Sequence, residues 1–151
     1  SITLRNDPRV TIIGSFLRKT KINELPQIIN ILKGDISLVG PRPLVEKTFS
    51  AYSEKIQSSI YNVKPGLTGI GSIIFRDEES IISAIKDEDP HEFYKRVIAP
   101  YKGELEMWYQ KNNSIILDLK LIFLTAWVIL FPNSKLYKKL FKDLPKRNFN
   151  L

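Results

Sequence analysis

The chain has 151 residues, of which 43% are hydrophobic and 26% charged, a composition typical of one folded domain with its own core. It contains no cysteine and one histidine, His91, which excludes disulfides, a thiolate nucleophile, zinc–thiolate sites and a histidine-centred metal cluster within one chain. The net charge of +7 favours anionic partners, namely lipid head groups, nucleotide phosphates or nucleic acid.

The first predicted element is a helix over residues 22–33 with one apolar face. Pro26 is tolerated mainly in a first helical turn, so Asn23 and Glu24 should lie at the helix N-terminus. Free backbone N–H groups give that end a positive partial charge, and Arg18 comes shortly before it, so the segment suits an anionic phosphate ligand. The simpler alternative is that Glu24 only complements the helix dipole while Arg18 is solvated. The apolar face consists of Ile22, Leu25, Ile29 and Leu32.

A short strand over residues 36–39 is predicted after the helix-ending Gly34, and it leads into a turn with two prolines. Pro41 and Pro43 restrict the backbone on both sides of Arg42 and favour an extended conformation there. A guanidinium held in this way loses less entropy on binding, and its fork of donors matches phosphate oxygens. Arg42 is therefore a second candidate phosphate ligand, with a plain rigid turn as the alternative.

Residues 45–112 give a less specific pattern of mostly helical segments. The last of these segments should be interrupted near Pro100, and its aromatic residues are interpreted as core or interface anchors. His91 is interpreted as a surface residue at a helix start. The predicted elements are a helix over 45–60, turns at 65–69, a strand over 70–75, a helix over 78–85, a break at 87–90 and a helix over 92–112.

The C-terminal third combines an apolar run of 11 residues, 121–131, with a lysine-rich segment, 135–147. A spanning helix needs about 20 apolar residues, so no transmembrane helix is predicted, and a buried core helix is the alternative for the apolar run. In the lysine-rich segment apolar residues recur at helical spacing, which is typical of a basic amphipathic helix at an anionic membrane surface. A solvated helix packed on its own core is the alternative. Together the two segments favour membrane-surface attachment through residues 113–147.

Residues 5–69 resemble the bacterial sugar transferase family, and the resemblance continues more loosely beyond them. It implies a mostly helical α/β fold with few short strands, in a compact monotopic membrane-associated domain with amphipathic C-terminal helices. It assigns residues 1–112 to a catalytic core and 113–151 to a membrane-interface segment of the same domain. Family members usually begin with an apolar membrane hairpin, whose absence here we interpret as truncation or an incomplete gene product. The matching motifs lie at 7–11, 14, 16–20, 22–27, 30–35, 40–43 and 63–69.

The resemblance also implies an enzymatic activity. Family members transfer a sugar-1-phosphate from a UDP-sugar to polyprenyl (undecaprenyl) phosphate, which initiates a lipid-linked surface glycan such as an exopolysaccharide, capsule or O-antigen. The expected location is the cytoplasmic face of the bacterial inner membrane. By this resemblance Arg18 and Arg42 bind substrate phosphates, and Glu24 supports the reaction together with Mg²⁺. An aspartate directly before that glutamate attacks the β-phosphate as the nucleophile in the family.

This chain has Asn23 at the position of the family's nucleophilic aspartate. A neutral amide is a poor nucleophile and a poor metal ligand, so four explanations stay open. Glu24 is the nucleophile; or transfer is direct between the substrates; or the protein binds without turnover, naturally or because the aspartate was replaced; or Asn23 deamidates. The retained Glu24, Arg18 and Arg42 favour a working or recently working transferase. The alternative is a catalytically silent member of the same fold that binds nucleotide sugar or lipid phosphate at the membrane.

Nucleic-acid binding is a third class of function that the positive charge alone would allow. The sequence has no helix-turn-helix, zinc or RNA-binding signature, so no nucleic-acid partner is expected. The recognisable motifs do not include sugar contacts, so they leave open which sugar is used and whether the chain forms a homo-oligomer.

Overall fold

The computed structural model is mostly helical with one small sheet, which confirms the predicted fold class. None of the helices within the described ranges is both long enough and apolar enough to cross a membrane. The division into residues 1–112 and 113–151 stays a prediction. The residues that the structure describes are 11, 13–14, 17, 25–44, 46–85 and 88–146.

Short helices and two strands come before the two longest helices of the described chain, which have 14 and 16 residues. The strands are β1 (Ser37–Val39) and β2 (Gly66–Thr68), and a π-helical segment covers Tyr94–Ile98. The helices are α1 (Gln27–Lys33), α2 (Glu46–Phe49), α3 (Glu54–Tyr61), α4 (Ile70–Ile74), α5 (Glu78–Ala84), α6 (Pro90–Phe93), α7 (Ala99–Asn112), α8 (Ile115–Leu130) and α9 (Tyr137–Leu140).

The core forms around α4, which packs against both α7 and α8. Full burial of one large aliphatic side chain stabilises the folded state by about 1.5–3 kcal/mol before entropic costs are counted. The short α4 is therefore held in place from two sides by the longest helices of the described chain. The large side chains with almost no exposed surface are Ile70, Ile82, Ile98, Leu105, Leu121 and Leu124.

Helix α1 and strand β1 confirm two elements predicted in the motif region, but α1 begins at Gln27, and residues 25–26, which were predicted to be helical, form a turn before it. Pro26 takes the N-cap position of α1, and Gly34 ends the helix with a φ of 80°, a left-handed conformation that glycine adopts at little cost. The predicted helix positions 22–24 lie outside the described residues. The apolar face of α1 is not in the core, because none of its residues is buried and Leu32 is 83% exposed.

Strands β1 and β2 pair in parallel, and their ends are packed unusually close through glycines. A Cβ on Gly66 would lie 2.1 Å from the backbone nitrogen of Gly40, and one on Gly69 would lie 2.3 Å from the Gly40 carbonyl oxygen. These neighbours are backbone atoms, which cannot swing aside as a side chain can. Only glycine therefore allows the turn after β1 to sit against β2 and the start of α4.

Two neighbouring predictions are wrong, namely the turns at 65–69 and the strand over 70–75. The strand β2 lies inside the predicted turn region, and the β-branched run that follows it is the helix α4. Tertiary packing overrides the local propensity, because a helix puts Ile70 and Ile73 together into the core. A strand would have sent alternate residues of this run to opposite faces.

The segment predicted as a helix over 92–112 is helical from residue 90 onward. Asp89 caps it, accepting hydrogen bonds from the backbone N–H groups of His91 and Glu92 at 2.8 and 3.2 Å. The interruption expected near Pro100 takes the form of the π-helical segment just before it. Pro100 itself falls in the first turn of α7, where its missing N–H costs little. His91 lies at a helix start, as expected.

Helix α8 begins six residues before the predicted apolar run and is capped by the Ser114 hydroxyl, which accepts from the Leu117 N–H at 3.2 Å. Its buried stripe packs against α4 and both strands, so part of the run is core, as the alternative interpretation held. Its other face is apolar and open. The exposed residues on and next to α8 are Ile115, Ile116, Leu119, Ile122, Phe123, Leu130 and Phe131.

The lysine-rich segment does not form the amphipathic helix that its spacing predicts. Its helix α9 has only four residues, and Phe141 directly after it is buried against Trp108, with ring centroids 5.6 Å apart. The indole N–H of Trp108 also donates to Asp143 at 3.1 Å, and Tyr101 donates to the Pro145 carbonyl at 3.0 Å. The apolar residues of this segment are used by the core, so the larger exposed apolar surface belongs to α8.

The glycine contact gives a test of the fold. Gly66→Ala should lower the free energy of unfolding by about 3 kcal/mol, because the new methyl group meets backbone atoms that cannot move independently. Gly34→Ala is the matched control, because its Cβ would have open space and only the left-handed conformation costs about 1 kcal/mol. Urea denaturation followed by circular dichroism measures both. Equal losses in the two variants would contradict the close packing at Gly66.

Candidate functional site

The structure describes one of the four site residues predicted from the sequence. Arg42 lies in the described turn after β1, whereas Arg18, Asn23 and Glu24 lie outside the described residues. The described part of the site therefore consists of Arg42 and the residues around it, and the roles of Arg18, Asn23 and Glu24 stay predictions.

The backbone next to Arg42 is fixed by hydrogen bonds to β2. The Gly40 N–H donates to the Thr68 carbonyl at 2.9 Å, and the Gly66 N–H donates to the Pro41 carbonyl at 2.8 Å. Together with the two flanking prolines, these bonds hold the chain immediately before the arginine. The exposed Arg42 side chain thus projects from a rigid support, as the sequence predicted.

A polar cavity of about 450 Å³ opens beside Arg42. The turn after β1, α4, α5 and α7 contribute to its wall, so the residues meet from distant parts of the sequence. Three cations and three carboxyl groups line it, together with two tyrosines whose hydroxyls lie 3.4 Å apart. The charged lining residues are Arg42, Arg76, Lys102, Glu78, Glu79 and Glu106.

A second cavity, an apolar groove of about 320 Å³, meets the polar cavity at one edge. Aliphatic side chains of α1, the two strands and α8 line most of it. Arg42, Ser72 and Arg76 line both cavities. We call this shared edge, formed by Arg42, Ser72 and Arg76, the seam. Two cations therefore lie where the polar cavity meets the apolar groove.

Arg76 is a site residue that the sequence reasoning missed. Its Nη1 is buried and has no hydrogen-bond partner among the described residues. Ser72 lies on α4, and Arg76 lies in the turn just after this helix; both line the two cavities. Reading the run as a strand separated them. A helix assignment after the Thr68–Gly69 turn would have brought Ser72 and Arg76 toward Arg42.

Glu106 is the second residue that the sequence did not reveal. It lies on α7, is only 6% exposed, and accepts a hydrogen bond from the backbone N–H of Gly71, while its Oε2 has no partner among the described groups. Burial raises the pKa of its carboxyl from 4.5 to about 7, although Lys102 and the Gly71 bond act in the opposite direction. A carboxyl group with this pKa exchanges protons near neutral pH.

Lys102 occupies the middle of the cavity wall and is already paired. Its ammonium group donates to Glu78 in a short ion pair, with the lysine side chain only 14% exposed. The same ammonium lies 5.3 Å from the ring centroid of Phe75 and 5.5 Å from that of Tyr94. Lys102 therefore neutralises Glu78, and the other two cations of the cavity lining are Arg42 and Arg76 of the seam.

A magnesium site is not formed by the residues described. No group of three or more acidic, histidine or cysteine side chains in the described ranges could hold a metal ion. The expected Mg²⁺ ligand, Glu24, lies outside these ranges. The cavity carboxylates do not replace it, because Glu78 is paired with Lys102 and Glu106 is buried at a pKa near neutrality.

The sequence of this chain matches a known protein family over most of its length. The profile of the bacterial sugar transferase family matches residues 1–132. The chain belongs to the bacterial sugar transferase family. The match reaches beyond residues 5–69, where the motif resemblance is densest, and includes α4, α7 and α8, so the seam and Glu106 lie within the family domain.

Several curated relatives of this sugar transferase chain have informative names. It is 37% identical over 127 residues to the undecaprenyl-phosphate galactose phosphotransferase of Salmonella typhimurium, covering 84% of this chain and 23% of the relative. It is 37% identical over 126 residues to the UDP-glucose:undecaprenyl-phosphate glucose-1-phosphate transferase of Escherichia coli, covering 82% and 24%. It is 42% identical over 127 residues to the uncharacterized sugar transferase EpsL of Bacillus subtilis, covering 84% and 54%. The matched region is thus about a quarter to a half of each relative.

The buried carboxyl predicts a pH-dependent stability for this family member. Because the folded state holds the Glu106 proton more tightly than the unfolded state, the stabilisation is complete below pH 4.5 and is lost as the pH rises through about 7. Relative to Glu106→Gln, the wild-type free energy of unfolding should fall by about 3 kcal/mol over that range.

Denaturant titrations at several pH values measure this difference. Glu104→Gln, which changes an exposed glutamate on the same helix, is the control and should follow the wild-type pH dependence. A constant difference between wild type and Glu106→Gln at every pH would contradict the raised pKa.

Proposed function

We propose that this chain forms the catalytic part of a phosphoglycosyl transferase that moves a sugar-1-phosphate from a UDP-sugar to undecaprenyl phosphate. The observation that carries the proposal is the seam, where a polar cavity and an apolar groove share Arg42, Ser72 and Arg76. The relatives named for this reaction support it. The product would start a lipid-linked surface glycan.

The polar cavity suits the nucleotide sugar. Its volume is within the usual range for small-molecule sites, and its lining offers charged and hydroxyl groups to a polar ligand. A diphosphate needs cations, and the two arginines of the seam supply planar donors that match phosphate oxygens. The unpartnered Nη1 of Arg76 is a donor that a phosphate would satisfy.

The apolar groove suits the polyprenyl chain of the acceptor. An isoprenoid carries a long apolar tail and one phosphate, so its site needs an apolar wall that ends at a cation. The groove has this composition, since aliphatic residues of α1 and α8 lead to Arg42 and Arg76. The exposed apolar face of α8 continues the same surface outward, which favours contact with the membrane that holds the acceptor.

The proposed reaction brings both phosphates to the seam. In the two-step form, a carboxylate oxygen attacks the β-phosphorus, the bond to the UMP oxygen breaks, and UMP leaves. A phosphate oxygen of the polyprenyl carrier then attacks the same phosphorus and releases the carboxylate. Glu24 is the proposed nucleophile here, because Asn23 has no carboxylate; direct attack by the carrier on the UDP-sugar is the one-step form. Mg²⁺ bound with Glu24 would supply additional charge neutralisation.

A catalytically silent transferase-like protein is the second candidate. The observation that favours it is Asn23 at the position where the family has its nucleophilic aspartate. Such a protein would retain the cavity, the groove and the seam, and it would bind nucleotide sugar or lipid phosphate at the membrane without turnover. A transfer assay separates the two candidates, because binding is common to both.

The transfer assay uses radiolabelled UDP-glucose and UDP-galactose, undecaprenyl phosphate in anionic vesicles, and Mg²⁺ with an EDTA control. The wild-type chain should produce labelled lipid, and Asn23→Asp should raise the Mg²⁺-dependent rate, because it restores a carboxylate nucleophile directly before Glu24. Intact-mass spectrometry with peptide mapping then locates any phosphosugar adduct.

The position of the adduct distinguishes the mechanisms. An adduct on Glu24 of the wild-type chain supports the two-step form, and labelled lipid without an adduct supports direct transfer. Binding of UDP-sugar without transfer in the wild type, together with transfer by Asn23→Asp, supports the silent candidate. Neither adduct nor transfer in either protein would contradict the inherited mechanism.

The seam predicts how its two arginines affect binding. Arg42→Ala and Arg76→Ala should each weaken UDP binding by about tenfold or more, because each removes a charge-assisted contact to phosphate. Arg96→Ala is the matched control, because Arg96 is exposed and pairs with Glu88 away from the cavity lining. Isothermal titration calorimetry measures the affinities. Unchanged affinity in either variant would remove that arginine from the phosphate site.

The exposed face of α8 predicts attachment to a membrane surface, which by the family resemblance would be the cytoplasmic face of the bacterial inner membrane. The triple change Ile116→Gln, Leu119→Gln and Phe123→Gln should reduce flotation with anionic liposomes by about tenfold, because it removes apolar contacts without changing the net charge. Deletion of 113–147 is unsuitable, since Leu121 and Phe141 belong to the core.

The control for this experiment separates lysine attraction from apolar contact. Lys138→Gln with Lys139→Gln changes two exposed lysines of the predicted attachment segment, and we expect a smaller loss that vanishes at high salt. All variants should keep the wild-type melting temperature, because the changed side chains are exposed. Equal flotation of the triple variant and the wild type would contradict the role of α8.

A further inference from the structure

Glu106 has a binding capacity that its protein neighbours do not use. The residue is 94% buried by area, since 6% is exposed, and it lines the polar cavity. The backbone N–H of Gly71 occupies one side of the carboxyl group, so the Oε2 atom is the one left without a partner among the described residues. A buried carboxyl oxygen without a partner is costly, and a donor from a bound molecule would remove that cost.

Three polar groups near Glu106 in the cavity lining already have partners. The Lys102 ammonium is held by Glu78, and the hydroxyls of Tyr52 and Tyr94 lie 3.4 Å from each other. Because these groups contact each other, the space in front of the Glu106 carboxyl is open to a ligand. The carboxyl oxygen is therefore a preformed acceptor in the wall rather than one half of an internal ion pair.

The charge of Glu106 restricts which part of a nucleotide sugar it can contact. A carboxylate repels phosphate, and the seam arginines are the cations suited to the diphosphate. The rings on either side of that diphosphate carry hydroxyl groups, which are neutral donors. A hydroxyl can donate to the ionised carboxyl and can accept from the protonated one, so it suits a group that exchanges its proton near neutral pH.

We propose that Oε2 of Glu106 binds a ring hydroxyl of the nucleotide sugar, which makes Glu106 a residue that selects the substrate. The proposal rests on the proposed function, because it takes the polar cavity as the nucleotide-sugar site. The hydroxyl belongs to the transferred sugar or to the ribose. The two sources share this chemistry and differ in which ligands contain them.

The test compares Glu106→Gln with wild type in calorimetric binding of UDP-glucose, UDP-galactose and UDP. At pH 8, above the Glu106 pKa of about 7, glutamine keeps the shape and an acceptor for the Gly71 N–H but removes the negative charge, so a charge-assisted hydrogen bond to the hydroxyl becomes a neutral one and binding should weaken by about tenfold. A loss for a UDP-sugar with unchanged UDP binding assigns the hydroxyl to the sugar. An equal loss for UDP and UDP-sugar assigns it to the ribose.

Two further variants keep the test decisive. Glu104→Gln, on the same helix but exposed, should bind all ligands as the wild type does. Gly71→Ala places a methyl group 2.8 Å from Oε1 of Glu106 and displaces the carboxyl without removing it, so it should weaken the same ligands about threefold even if Glu106→Gln folds poorly.

Unchanged affinity for every ligand in the folded variants would overturn the role of Glu106 while leaving the proposed function intact. A wild-type chain that binds neither UDP nor a UDP-sugar would instead overturn the proposed function, and this proposal with it. The Arg42→Ala measurement distinguishes the two failures, because it reports on the phosphate site independently of Glu106.

Discussion

The close contact of three backbone segments at Gly40, Gly66 and Gly69 is the constraint on which the site depends. Their lack of side chains lets the turn after β1 lie directly against β2 and the start of α4. The hydrogen bonds that Gly40 and Gly66 make across this contact then fix the chain on both sides of Pro41. A larger residue at any of these glycines would separate the strand ends. Arg42 would then no longer be held together with Arg76 at the seam.

The seam joins two environments that would each be unremarkable alone. Surface arginines are ordinarily solvated, and apolar grooves ordinarily lack charge near their floor. Within the described part of the chain, the guanidinium of Arg76 has a buried nitrogen without a hydrogen-bond partner, and the carboxyl of Glu106 has a buried oxygen without one. A fold retains such unsatisfied groups at a cost, and the usual reason is that a ligand satisfies them. The protein alone leaves these two polar groups of the cavity unsatisfied, and a bound ligand would satisfy them.

The sequence predicted the parts of the site that depend on local chemistry. Arg42 was found because two prolines flank it, and the helix α1 and strand β1 follow from spacing and a terminal glycine. Ser72 and Arg76 were missed because the run 70–75 follows a turn and contains three isoleucines and a phenylalanine, which favour a strand, whereas packing against α7 and α8 accompanies a helix over residues 70–74. Glu106 was missed for a related reason: its position in a helix was clear, but its burial depends on contacts distant in sequence. Such contacts leave no periodic signal.

Helix α8 combines two roles that proteins often give to separate elements. Its buried stripe packs on α4 and the strands, and the Thr125 hydroxyl, which itself donates to the Leu121 carbonyl at 2.8 Å, lies 2.7 Å from the Thr68 hydroxyl of β2. Its opposite face is the open apolar surface. Because one helix forms both faces, it fixes the position and the orientation of the seam relative to whatever covers the apolar surface. Helix α8 runs without a break from Ile115 to Leu130, so the orientation of the seam relative to that apolar surface is fixed by the fold.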